Sequence, residues 1–399
     1  MADRADAIDV EIAVVGGGPT GLAAALALAR SGATVALIAP PAPATDHRTT
    51  ALLSGSVEVL DRIGAYAAFS SLAAPLRTMR LVDGTKRLVR APEIAFHASE
   101  LGLDAFGVNV ANRDFVAGLA AALAEVGDRI RRIESTLDTV AVEDGRIQLR
   151  TTDGDIVTAR LTVGADGRNS AVRQAAGIRA KTWSYPQTAL VLNLRHKQPH
   201  YDASTEIHTE TGPFTLVPLG PGRSSLVCVE TPDVAERLAA MPDEALAADL
   251  ERRSHSILGR LEIDSPRQTW PMSSLSVDRM VADRVALVGE AAHAFPPIGA
   301  QGLNLGIRDI AALADIVGRA RARGDDVGGP GVLDRYASAR RTDVLTRTFG
   351  VDLLNRSLLT DFLPVQVARS VAMQIARDVG PLRKLMMREG LRPRLFRGA

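Results

Sequence analysis

Apolar positions along this chain first appear as short continuous runs. Val10 to Val15 is one, broken only by Glu11, and such a run predicts a strand buried on both faces. It meets Gly16-Gly17-Gly18-Pro19-Thr20-Gly21 and then the Ala/Leu-rich stretch Leu22 to Arg30, which has strong helix propensity. Gly32 stops that helix, and Ala33 to Ile38 predicts a second strand, completing a β-α-β unit. Arg48 to Gly64 predicts a helix ending at a glycine. Pro75 to Pro92 is short and strand-like, Asn112 to Val126 helical, and Ala141 to Val163 alternates as a β-meander does. From Trp183 to Pro271 several short strands are separated by Pro/Gly turns, with one helical stretch at Val234 to Ser254. At Arg284 to Val288 the buried-strand pattern returns, followed by a glycine-rich turn and a helix through Val317. Beyond Asp343 the pattern is helical throughout, with interruptions near Pro364 and Pro381.

The return of the buried strand at Arg284 predicts a nucleotide domain that is discontinuous in sequence, with a sheet-rich substrate domain inserted in it. Length agrees, since 399 residues exceed one compact core. A formal net charge of +1, from 47 basic and 46 acidic residues, gives no global attraction to nucleic acid or anionic lipid. The single cysteine, Cys228, excludes an internal disulfide; in the apolar run Ser225 to Val229 it reads as a buried, inert thiol. The first ten residues mix Asp, Arg and Ala and do not form a secretory signal, and no apolar run approaches the ~20 residues of a membrane span. The expectation is a reducing, cytoplasmic location, with attachment to a membrane surface left open.

Three motifs carry chemistry. In Gly16-x-Gly18-x-x-Gly21, Gly16 permits the tight turn after the strand, Gly18 lets backbone approach a pyrophosphate, and Gly21 lets the helix pack against the sheet. The helix start then offers free N–H groups to phosphate. The acid expected about 20 residues on, for the ribose hydroxyls, is missing. Ile38-Ala39-Pro40 stands there, so either Asp46 folds back or backbone and water hold that ribose. The second motif is Gly164-Ala165-Asp166-Gly167-Arg168-Asn169-Ser170-x-x-Arg173, where Ser170 fits a helix cap. The third runs from Gly289-Glu290 through His293 and Pro297 to Gly299-Ala300-Gln301-Gly302-Leu303-Asn304. Its carboxylate suits a polyol hydroxyl, and its glycine stretch opens another helix whose N–H groups suit a developing anion. His293 reads as a structural histidine before a catalytic one, and nothing near it has metal-ligand spacing.

In this order and spacing the three motifs resemble the para-hydroxybenzoate-hydroxylase class of FAD-dependent monooxygenases, from about Val10 to about Arg341. Within the class the chain is most similar to the ubiquinone-biosynthesis hydroxylases, through Arg48-x-x-Ala51-Leu52, Asn112-Arg113, Gln187-x-Ala189-Leu190, Gly212-Pro213-Phe214 and Trp270-Pro271. The resemblance implies an α/β fold of mixed α+β character. A Rossmann-like FAD-binding domain would comprise 1–74, 101–182 and 272–345, with a substrate domain from 75–100 and 183–271 and a helical C-terminal segment at 346–399. It implies that Gly16, Gly18 and Gly21 hold the FAD pyrophosphate, and that Arg48 and Arg113 lie near the phosphates and ribityl chain. Asp166 would serve FAD and the incoming nicotinamide, and Glu290 would bind the ribityl chain. Pro297, Gly299, Gly302, Leu303 and Asn304 would contact the isoalloxazine. Glu290 departs from the usual Asp of this motif, so a shifted contact is expected. No catalytic residue is identified.

The implied activity is hydroxylation of an aromatic substrate, with NADH or NADPH and O2 as co-substrates and oxygen delivered through a flavin C4a-hydroperoxide. The substrate would be a polyprenylated phenol of ubiquinone biosynthesis, and the partners a membrane surface and other proteins of that pathway. A soluble phenol hydroxylase, an FAD-dependent reductase without oxygen insertion and a non-catalytic flavin-binding scaffold subunit are the alternatives. The tail after Val365 bears on location. It carries Arg369, Arg377, Arg383, Lys384, Arg388, Arg392, Arg394 and Arg397 against only Asp378 and Glu389. Val367, Val371, Ile375, Val379, Leu382, Leu385 and Met386 recur beside them at helical spacing. This stripe suits a lipid interface, or packing on the flavin domain or a second subunit.

Overall fold

The computed structural model describes residues 8–41, 46–85, 90–143, 145–297, 299–359, 374 and 378–391. The apolar strand Ile8–Val15 pairs in parallel with Val35–Ile38 on one side and Ile156–Gly164 on the other. The helix Pro19–Arg30 makes the crossover and buries Gly21 through Ala29, where small side chains allow close packing on the sheet. Val285–Leu287 pairs in parallel with Ile156–Gly164, so three strands distant in sequence lie side by side. Leu137–Glu143 and Arg146–Thr151 lead into Ile156–Gly164 as the expected antiparallel meander.

A second sheet runs in the order Gln268–Val277, Ala180–His196, Arg223–Glu230, Pro213–Pro218, Ala203–His208, Thr78–Asp83, Ile94–His97. Leu190, Phe214, Leu216 and Leu226 of one face pack on Leu238, Leu246 and Leu250 of two helices. Cys228 belongs to this core; burial pushes its thiol up to about 12, which leaves it inert as expected. Ala180–His196 and Gln268–Val277 are continuous strands of the second sheet that run through positions 182/183 and 271/272. The helix Pro330–Leu359 packs on the first sheet's side and reaches the second, and the tail helix Gly380–Leu391 follows.

Four expectations need correction. The stretch from Arg48 opens as a strand, Thr49–Leu53, before the helix Ser54–Arg62. The β-branched pair Thr49-Thr50 favours extension, and Gly107–Ala111 supplies an antiparallel partner. The helical stretch from Val234 is two helices, Pro232–Ala240 and Asp243–Arg253, because Pro242 cannot continue the first. The last helical region begins earlier than Asp343, at Pro330. Pro381 opens the tail helix instead of interrupting it, since the first turn of a helix tolerates proline. Pro364, Val367, Val371 and Ile375 lie outside the described residues.

Candidate functional site

The three motifs follow the C-terminal ends of three neighbouring parallel strands. Val15 stands beside Gly164, and Gly164 beside Leu287, so the turns they feed share one edge of the first sheet. That edge is where open α/β sheets bind ligands. Close approach explains two of the glycines. Gly16 has φ +123°, and a Cβ on it would overlap the Ala165 carbonyl; a Cβ on Gly21 would overlap the carbonyl of Gly16. Gly18 differs. It caps the helix Pro19–Arg30, and a Cβ there would meet nothing within 4 Å. The space over this helix start is therefore open, and no acidic residue sits in the first turn to compete for its amides.

Side chains of the second and third motifs meet at this edge, and Arg48 lies close enough to feel the charge of Glu290. Asp166 Oδ2 accepts the Val172 amide at 3.1 Å, while Oδ1 is buried without a hydrogen-bond partner. Arg168 Nε lies 3.4 Å from Glu290 Oε2, and its Nη1 donates to Ser273 Oγ at 2.6 Å. Arg48 stacks 5.1 Å from the Trp270 ring centre. Its Nε and Nη2 donate to Asp46 at 2.9 and 2.8 Å, and Asn112 Nδ2 donates to Asp46 at 3.1 Å. Burial resists ionisation of Asp46, but the hydrogen bonds from Arg48 and Asn112 outweigh it and hold the carboxyl at about 2. Both Asp46 oxygens are thus engaged by Arg48 and Asn112. Arg48 is held charged by its hydrogen bonds to Asp46, opposed by burial, with added attraction from Asp46 and Glu290. Arg113 stands apart from this group: it is exposed, with Asp114 at 3.4 Å.

The third motif ends in a tight loop. Pro297 and Gly299 are exposed, Gly299 has φ +62°, and Ala300 takes a left-handed φ of +54° immediately before the helix Gln301–Ala322. A left-handed alanine costs energy that surrounding contacts must offset. Asn304 supplies them. Fully buried, it donates through Nδ2 to Ala300 O at 2.6 Å and Ala51 O at 2.8 Å, and accepts the Leu53 amide at 2.8 Å. Leu303 is half-buried beside it, and Gly302 resembles Gly18 in that an added Cβ would meet nothing within 4 Å. Asn304 therefore ties the loop to the Thr49–Leu53 strand, with its amide committed to backbone.

Beneath the loop lies a charged network that sequence reasoning missed. Asp309 is fully buried; its Oδ2 accepts the Gly289 amide at 3.0 Å and faces His293 Nε2 at 2.7 Å, and its Oδ1 accepts Arg340 Nε at 2.8 Å. Arg340 and Arg308 both donate to Asp343, at 2.8 and 2.9 Å. Burial opposes charge on Asp309, yet His293 and Arg340 hold its carboxyl below the usual range. His293 is accordingly a buried partner of Asp309, in keeping with its structural reading. The one available signal was a charged pair, Arg308-Asp309, inside an otherwise apolar helix face. A separate cavity of about 470 Å³, lined by Ala73, Pro75, His200, Tyr201 and Gly220 among others, contains none of the motif residues.

The open space over Gly18 and Gly302 and the unpartnered Asp166 Oδ1 fit a dinucleotide laid across the three turns. Comparison with known proteins agrees. Residues 9–348 match the FAD binding domain family. The chain is 33% identical to ubiquinone hydroxylase UbiL of Rhodospirillum rubrum, over 97% of this chain and 92% of that one. It is 30% identical to 3-demethoxyubiquinol 3-hydroxylase of Escherichia coli, over 96% of this chain and 98% of that one. Among solved structures, p-nitrophenol 4-monooxygenase PnpA of Pseudomonas putida superimposes with a TM-score of 0.79 at 20% identity, over 96% and 98% of the two chains, which shows a shared fold. With a strand-to-turn scaffold built for a dinucleotide and a family match across most of its length, this chain belongs to the FAD binding domain family, among its FAD-dependent hydroxylases.

Proposed function

We propose that this protein hydroxylates a polyprenylated phenol of ubiquinone biosynthesis at a membrane surface, with FAD as cofactor and NADH or NADPH and O2 as co-substrates. The observation that carries the reading is the convergence of three cofactor turns on one sheet edge, with open space at Gly18 and Gly302. Bound FAD supplies hydride acceptance and oxygen activation. The protein supplies position. The amides at the start of Pro19–Arg30 face the pyrophosphate over Gly18, with Gly16 and Gly21 shaping the turn. Glu290 accepts a ribityl hydroxyl, and Arg48 offers a held positive charge nearby. Arg113 is exposed at the start of the helix Asn112–Ala124, paired with Asp114 at 3.4 Å. Asp166 Oδ1 is an acceptor with nothing else to bind. The Pro297–Asn304 loop presents the Gln301–Ala322 helix start to the isoalloxazine, a favourable place for negative charge.

The substrate reading rests on the two ubiquinone-pathway relatives and on the half-exposed Trp270 ring beside Arg48. Trp270, which stacks on Arg48, belongs to the same strand as Met272, and Met272 packs with Tyr185, Ala189 and Val229 of the second sheet. The Trp270 ring, held on that core and 45% exposed, suits stacking against an aromatic substrate. Among the described residues no helix is long and apolar enough to cross a membrane. Attachment would therefore be peripheral, alone or with other proteins of the pathway. The test is oxygen accounting with a prenylated phenol: one O2 and one NAD(P)H consumed per product, with isotopically heavy oxygen recovered in the new ring hydroxyl. NAD(P)H oxidation without label in the product would leave a reductase, and no oxidation with any phenol would leave a flavin-binding scaffold.

A further inference from the structure

Large apolar side chains that stay exposed gather on the last two described helices. On Pro330–Leu359, Leu345, Phe349 and Leu353 recur every fourth residue, and Phe349 is 69% exposed. That stripe runs for about 12 Å along the helix. The same helix buries Val344, Val351 and Asn355 on its inner side. On and just before Gly380–Leu391, Val379, Leu382, Leu385 and Met386 are exposed, while Met387 and Leu391 turn inward against Leu53 and Phe106. The two helices touch, since Arg347 donates to the Glu389 carbonyl. Each helix thus keeps an exposed apolar side as well as a covered one, and exposed apolar side chains gathered in this way mark an interaction site.

Charge indicates what covers it. From Val365 onward the chain has eight basic and two acidic residues, or +6; with +1 for the whole, the remainder carries −5. Exposed Arg341, Lys384 and Arg388 border the apolar residues, while Arg356 is paired with Asp352 at 2.8 Å. A second copy docked about a two-fold axis would set this basic border against itself. An anionic bilayer answers both the apolar stripe and the positive border.

We propose that the outer faces of Pro330–Leu359 and Gly380–Leu391 form one docking surface for an anionic lipid bilayer. The inner side of the first helix is bonded to the second sheet: Asp352 Oδ1 accepts Tyr185 Oη at 2.5 Å and Trp183 Nε1 at 3.1 Å, and Asn355 Nδ2 donates to Gln187 Oε1 at 3.1 Å. The bilayer then lies one helix away from the Tyr185–Met272 core of the second sheet. The inference rests on the lipid-substrate reading above for what is delivered, and on the two helices alone for where. The full-length FAD-loaded protein and the triple variant L345S/F349S/L353S are compared by flotation with vesicles of phosphatidylglycerol and phosphatidylcholine. The wild type is expected to bind the anionic vesicles, weakly at high salt and not to pure phosphatidylcholine. The variant should bind about tenfold or more weakly, with FAD content and melting temperature unchanged, because the three side chains are exposed. Equal binding by variant and wild type, or none by either, overturns the proposal. So does a wild-type dimer that the variant converts to monomer while vesicle binding is retained, since the stripe would then join two copies. Hydroxylation of a detergent-dispersed prenylated phenol is measured separately. Its absence beside normal docking defeats the substrate reading alone, and its presence without wild-type docking defeats the surface alone.

Discussion

Gly18 and Glu290 do little for the folded protein by themselves, which makes them clean probes of the cofactor. An added Cβ at Gly18 meets no protein atom within 4 Å, so Gly18→Val should fold. Its side chain would fill the space proposed for the pyrophosphate, and the purified variant should be colourless, with no FAD absorbance. A yellow Gly18→Val protein would move the pyrophosphate elsewhere. Glu290 makes an exposed 3.4 Å pair with Arg168, worth about 0–1 kcal/mol at most. Glu290→Ala should therefore leave the melting temperature nearly unchanged while weakening FAD binding by about 1–3 kcal/mol, the range for a lost ligand hydrogen bond. Flavin fluorescence titration measures it, and equal affinity in the variant would remove Glu290 from the ribityl contact.

At the scale of elements, the third motif is only as well placed as the network under it. Asp309→Ala would leave His293 and Arg340 buried beside an empty acceptor and free the Gly289 amide. Removing one partner of such a buried set costs about 3–5 kcal/mol, and urea unfolding should show it. The pH sign follows from the lowered Asp309 carboxyl. Its stabilisation is complete above the ordinary carboxylate value, ~3.9, and is lost as pH falls through the lower folded value. Asp309→Asn should therefore lose part of the acid-side slope of stability; an unchanged slope would mean the carboxylate is not charged in the fold. This network also marks where the sequence stopped being readable. The strands Ile8–Val15, Ile156–Gly164 and Val285–Leu287 and their glycine turns were legible because each is a local pattern, an apolar run followed by small residues. Thr49–Leu53 was not, because its extension depends on Gly107–Ala111 and on Asn304, both distant in the chain. Asp309 and Arg340 were not, because only folding brings the two helices together. Gln187 and Gly212, quoted as isolated marks of the hydroxylase branch, turn out to be one feature: Gln187 Nε2 donates to Thr211 O at 2.6 Å, and a Cβ on Gly212 would press on Gln187 and Val229.

Over the whole molecule, one helix joins the two sheets. Near its start Tyr336 Oη donates to Leu287 O at 2.8 Å and Arg340 reaches Asp309, both under the third-motif loop. Near its end Asp352 and Asn355 hold Trp183, Tyr185 and Gln187 of the second sheet. The third-motif loop and the second sheet are therefore tied by this helix of 30 residues, alongside the direct pairing of His293–Ala294 with Gln268–Val277. Truncating Asn355 to Ala leaves Gln187 Oε1 buried without its donor, at a cost of about 1–3 kcal/mol, and loosens the far end without touching the three glycine turns. The expected phenotype is a split. FAD content and the rate of flavin reduction should match the wild type, because Gly18, Asp166 and Glu290 are undisturbed. The yield of hydroxylated product per NAD(P)H should fall, with the difference recovered as hydrogen peroxide, because water exclusion over the ring depends on how closely the second sheet is held. Coupled assays of product, peroxide and nicotinamide measure the split. Full coupling in Asn355→Ala, with the variant folded, would show that the second sheet is held over the flavin by contacts other than this helix end.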